Sequence, residues 1–85
     1  MDLGNYRAKI DKIDDELLRL FIERMDTSRQ IAQYKKENGL PVLDAERESK
    51  KLSLISEKAG EMSSFAQTLF RLLFDLSRAH QETFM

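Results

Sequence analysis

Arg7, Arg24, Lys35, Arg47, Glu48, Ser77 and Gln81 sit on, or at the border of, helix faces where periodicity calls for apolar side chains. The set is rich in cations and hydrogen-bond donors and contains one prominent carboxylate. An unpaired buried charge is very costly, so each cation needs a partner on its face. That partner is either an internal salt-bridge acid or an anionic ligand, and the residue pattern alone leaves both open. The chain has no Cys and a single His, which argues against a metal site and excludes thiol chemistry. Ser77 has no base at a spacing that would make it a nucleophile. Such a constellation suits a small polyanion, with charge stabilised electrostatically rather than through a covalent intermediate.

The elements that must position these residues are helices. From Asn5 to Asn38 there is no Pro or Gly, and Tyr6, Ile10, Ile13, Leu17, Leu20, Phe21 and Ile31 recur at helical spacing. At ~100° per residue, Leu17, Arg24, Ser28, Ile31 and Lys35 share a sector of roughly 60°. Asp2 or Asn5 can cap this helix. Asn38-Gly39, with Pro41 beyond, should end it. Asp44 is a good cap for a second helix running to about Ala59 and stopped by Gly60, with Ala45, Leu52, Ile55 and Ala59 along its apolar line. Glu48 lies on that line and Arg47 at its edge. Ser64-x-x-Gln67 reads as a capping box for a third helix carrying Phe65, Leu69, Phe70, Leu72, Leu73, Phe74 and Leu76. Ser77 and Gln81 continue its inward line. This helix should reach Phe84 and Met85, where no Gly, Asn or basic last turn finishes it. Either it frays there, or the chain is cut from a longer one.

A chain of 85 residues is one domain, expected to span residues 1–85, and is marginal alone. The first helix would run about 50 Å at ~1.5 Å per residue, longer than a compact chain of this size is wide. Much of its apolar stripe would lack cover within one chain, so a homodimer with packed long helices is expected. Fourteen basic and fifteen acidic residues nearly cancel, so no global field points to nucleic acid or a membrane surface. No apolar run approaches the ~20 residues of a membrane span. No secretory signal opens the sequence, and the lack of cysteine is compatible with the expected cytoplasmic location.

Taken together, the motifs resemble the all-helical chorismate mutases over nearly the whole chain. Arg7-x-x-Ile10-Asp11-x-Ile13-Asp14-x-x-Leu17-Leu18 looks like that family's opening signature. Arg24-x10-Lys35-x5-Pro41-x2-Asp44-x2-Arg47-Glu48 is similar to its central motif, and Ser77-x3-Gln81 to its C-terminal pair. Each motif alone is weak; all three in order on a helix-loop-helix-loop-helix pattern are specific.

The resemblance implies an all-α fold of three helices per chain, one long and two shorter, in an intertwined homodimeric bundle. The domain would be free-standing or excised from a larger bifunctional enzyme. The implied reaction is the Claisen rearrangement of chorismate to prephenate in aromatic amino-acid biosynthesis, without cofactor or metal. Arg24 and Ser77 would bind one substrate carboxylate, and Arg7 of the other subunit the second. Lys35 and Gln81 would donate to the ether oxygen. Glu48, helped by the Asp44 region, would accept from the ring hydroxyl, and Arg47 would complete the positive lining. Lys51 and Arg78 depart from the family pattern, standing where apolar residues commonly line the pocket wall. Either they point outward with packed stems, or they point inward and add positive charge. Two other readings stand beside this one: an isochorismate pyruvate lyase, in which a carboxylate at Glu48 is not expected, and a non-catalytic helical dimer module.

Overall fold

The computed structural model describes residues 2–83, all helix and short connections with no strand among them. The expected run of the third helix into Phe84 and Met85 lies outside the described residues. Helix α1 spans Leu3–Glu37, α2 Ala45–Ala59 and α3 Ser63–Glu82. No helix among the described residues is long and apolar enough to cross a membrane.

Asp2, not Asn5, caps α1: its carboxylate accepts from the Asn5 N–H at 2.9 Å. The C-terminal stop falls where the sequence puts it. Asn38 closes the last turn onto the Tyr34 carbonyl, and Gly39 takes φ +66°, a conformation L side chains rarely adopt. Asp44 caps α2 by accepting from the Arg47 N–H at 3.0 Å. Gly60, at φ +56°, ends that helix.

Two expectations need correction at this second glycine. No loop separates α2 from α3; the chain turns at Gly60 and a single 3-10 turn, Gly60–Met62, runs straight into α3. The shorter helices are therefore two arms of one helical run bent at Gly60, not elements separated by a connector. For the same reason Ser64 caps nothing. Ser63 donates its N–H to the Gly60 carbonyl, α3 starts without a side-chain cap, and Ser64 already lies inside the helix.

α3 lies between the other two helices, packed on α2 along one side and on the C-terminal half of α1 along the other. The chain is elongated, 54 × 26 × 15 Å, with a radius of gyration of 16.0 Å. A compact chain of this length would have about 12 Å. Ala32 and Phe74 are the buried apolar residues among those described, and Ser28, Ser77 and Gln81 are the buried polar ones. The best-shielded part of the chain is thus where α1 and α3 cross, and most of what it buries is polar.

Candidate active site

That crossing forms the floor of an open cleft of about 540 Å³, within the range of small-molecule sites. The C-terminal half of α1 brings Arg24, Ser28 and Lys35, which its 3.6-residue repeat stacks on one face. The first turns of α2 bring Asp44, Arg47, Glu48 and Lys51. The last turns of α3 bring Phe74, Ser77, Arg78 and Gln81. Arg24, Lys35, Arg47, Lys51 and Arg78 face Glu23, Asp44 and Glu48 across it, five cations against three carboxylates. The cleft therefore carries net positive charge although the whole chain carries −1.

Arg24 is anchored twice. Its Nη1 donates to Ser77 Oγ at 2.8 Å, and its guanidinium lies 5.7 Å from the centre of the Phe74 ring, close enough for a cation–π contact. Phe74 is held in turn by an edge-on contact with Phe70. Burial pushes the Arg24 guanidinium below its ordinary value, yet arginine starts so high that it stays charged. Ser77 passes its own hydroxyl toward Met25 Sδ at 3.8 Å; its partners are on α1, not on its own backbone. Gln81 Nε2 donates to the Ser28 carbonyl at 2.7 Å and to Ser28 Oγ at 2.9 Å. Lys35 Nζ donates to the Val42 carbonyl at 3.0 Å, reaching back over the connector that joins α1 to α2. That leaves two of its three ammonium hydrogens uncommitted.

Glu48 is half-buried and engaged by Arg78, whose Nη1 donates to Glu48 Oε2 while Nη2 donates to Asp75 Oδ1. Hydrogen bonding to Glu48 raises the Arg78 guanidinium above its ordinary value, against the smaller opposing effect of burial. The partner of Glu48 is thus Arg78, not its sequence neighbour Arg47, which is exposed at the rim. Both departures from the family pattern, Lys51 and Arg78, turn into the cleft.

Of the residues singled out from the sequence, Arg24, Lys35, Asp44, Arg47, Glu48, Ser77 and Gln81 line this one cleft, and Arg7 does not. Arg7 stands exposed near the start of α1, about 25 Å from Arg24 along the axis at ~1.5 Å per residue. Sequence reasoning placed Ser28 on the inner stripe without seeing that it holds Gln81. It missed the Val42 carbonyl altogether, since a backbone acceptor has no residue signature.

Residues 6–82 match the family described as chorismate mutase type II. The chain is 33% identical over 85 residues to the T-protein of Haemophilus influenzae, an alignment covering 96% of this chain and 22% of that protein. It is 29% identical over 86 residues to a chorismate mutase of Methanocaldococcus jannaschii, covering 98% of this chain and 87% of that one. A bifunctional chorismate mutase/prephenate dehydratase of Buchnera aphidicola (subsp. Acyrthosiphon pisum) is 35% identical over 80 residues, covering 91% of this chain and 21% of that protein. The chain thus spans about a fifth of the T-protein and the Buchnera relative, and most of the archaeal one. No solved structure matches significantly.

Proposed function

The chain belongs to the chorismate mutase type II family, and on that premise we propose that it catalyses the rearrangement of chorismate to prephenate in the α1–α2–α3 cleft. The observation that carries this reading is the convergence of Arg24, Lys35, Glu48, Ser77 and Gln81 from three helices onto one net-positive cleft. Chorismate is a dicarboxylate with an ether oxygen and a ring hydroxyl, and the cleft offers a complementary group for one carboxylate, the ether oxygen and the hydroxyl.

The rearrangement is unimolecular and pericyclic. It needs no acid, base or nucleophile, only a compact substrate conformer and stabilisation of the charge that grows on the ether oxygen as the C–O bond breaks. Arg24, already fixed by Ser77 and Phe74, takes one carboxylate. Lys35 turns an uncommitted N–H to the ether oxygen. Gln81 exchanges its contact to Ser28 Oγ for the same oxygen while keeping the Ser28 carbonyl. Both donors stay tethered, Lys35 to the Val42 carbonyl and Gln81 to the Ser28 carbonyl, so only small movements bring them to the ether oxygen. Glu48 accepts from the ring hydroxyl through Oε1.

The second carboxylate takes Arg7 of a second copy. An arginine side chain cannot span the ~20 Å of helix axis that separates Arg7 from Leu20 at the near edge of its own cleft, whereas an antiparallel partner helix brings it there. The apolar face of α1 supports that pairing: Tyr6, Ile10, Ile13 and Leu17 are 55%, 54%, 44% and 55% exposed in the single chain. Two chains therefore form an intertwined dimer with two shared sites, and residues 1–85 act as one mutase domain.

The test is incubation with chorismate, following loss of its ultraviolet absorbance and identifying the product. Prephenate is expected. Unchanged chorismate would contradict the reading, and in a parallel incubation with isochorismate so would release of pyruvate.

A further inference from the structure

Arg78 follows Ser77 directly on α3, and its guanidinium bridges two carboxylates. One arm crosses to Glu48 on α2; the other reaches Asp75, one turn back on α3. The two arms are not equivalent. The Arg78 and Glu48 side chains are 31% and 29% exposed, whereas Asp75 is 67% exposed at the rim. The inner contact therefore lies in the cleft wall, where a single charge-assisted bond to Oε2, less screened than a solvated surface pair, restrains the Glu48 carboxylate. The outer contact keeps the fork from turning away.

We propose that Arg78 is a positioning residue: it holds Glu48 by Oε2, so that Oε1 faces the substrate's ring hydroxyl and the carboxylate's charge is balanced before a dianion arrives. The inference rests on the functional reading above and deepens it. Its physical content is a coupling. A bare Glu48 would repel a dicarboxylate at close range and would rotate among orientations, of which few accept from the hydroxyl. Arg78 removes both penalties. It does so by acting on Glu48, since a substrate carboxylate placed at its guanidinium would sit beside the carboxylates of Asp75 and Glu48 and be repelled by both. The sequence position is consistent with this role: an apolar wall residue could pack against the substrate but could not orient the glutamate.

The experiment is a double-mutant cycle on kcat and KM for chorismate, using Arg78→Met, Glu48→Gln and the double variant, with helicity checked by circular dichroism. On the parent background Arg78→Met should lower kcat/KM about tenfold, with a rise in KM from the unbalanced charge and a fall in kcat from the disordered acceptor. On the Glu48→Gln background the same change should cost less than threefold, because no charge remains to balance and a neutral amide oxygen is held more weakly by the guanidinium. Arg78→Lys, which keeps the charge but not the two-armed planar donor, should restore KM more than kcat. If Arg78→Met does not fold, Asp75→Asn decides from the exposed side: a two- to threefold loss on the parent and none on Glu48→Gln. Additive losses, or a gain in activity when Arg78 is removed, overturn the proposal. A parent protein that turns over chorismate while the cycle is additive rejects this inference alone; a parent that leaves chorismate unchanged rejects the functional reading and this inference with it.

Discussion

Along α1, Tyr6, Ile10, Ile13 and Leu17 stand in solvent within the single chain. Further along the same helix Ser28 and Ala32 are buried, and Arg24 and Lys35 are partly covered. Both halves repeat at helical spacing, so periodicity does not separate them. The difference lies in what interrupts the stripe. Where it is uniformly apolar, no element of the same chain covers it, and an exposed apolar face of that extent calls for another surface. Where cations and a serine replace apolar residues, α3 packs on it and supplies Ser77 and Gln81 as partners. One half of the helix carries the face assigned above to the proposed pairing with a second chain, and the other builds the cleft.

The comparison breaks most completely at Ile13. Ile13→Glu places a charge on the face proposed to pair with a second chain, and burying it unpaired is costly. Activity should vanish at low protein concentration and return in part at high concentration, as read by a dilution series of turnover beside the mass in solution. The parent's thermal midpoint should rise with protein concentration, as expected when folding and association are linked. Lys35→Ala should behave differently. It should lower kcat at least a hundredfold, consistent with ~3–4 kcal/mol for a lost transition-state donor, at every protein concentration. Near-normal turnover in a folded Lys35→Ala protein would remove Lys35 from the ether oxygen.

The smaller effect sharpens the cleft half. Gln81→Glu keeps the shape but donates only when protonated. It should be about tenfold or more slower at neutral pH, since an ionised carboxylate would face the developing oxyanion. As pH falls toward the carboxylate's range the donor is restored and the rate should recover, while the parent shows no such rise. A flat profile for the variant would take Gln81 out of the mechanism.

What the sequence discloses follows from the range of the physics. The stop at Asn38-Gly39 and the Asp44 cap were legible because each is settled within a few residues, by a positive-φ glycine and by a carboxylate three residues from its N–H. The inner faces of Arg24, Lys35, Ser77 and Gln81 were legible from periodicity. The Ser64 cap was misread because the same local pattern loses its purpose once the preceding turn at Gly60–Met62 stays helical. The direction of Arg78 was left open, and its contact with Glu48 unforeseen, because both depend on how α2 and α3 are rotated against each other. A residue at the border of a stripe turns inward or outward with a small change in that rotation. Arg7 was placed through family resemblance alone; nothing in its local pattern says which chain it serves.

The most direct measurement of the shared site mixes two dead proteins. Arg7→Ala and Lys35→Ala homodimers should each be nearly inactive. In a mixed two-fold dimer, one site carries both defects and the other carries neither. Co-refolding an equal mixture should make about half of the dimers mixed and restore roughly a quarter of all sites. The readout is chorismate turnover before and after co-refolding, with a tag on one subunit confirming exchange. The account predicts recovery to about a quarter of the parent's activity. Confirmed mixed dimers with no gain in turnover would mean that Arg7 serves its own chain or none, and would contradict the shared cleft.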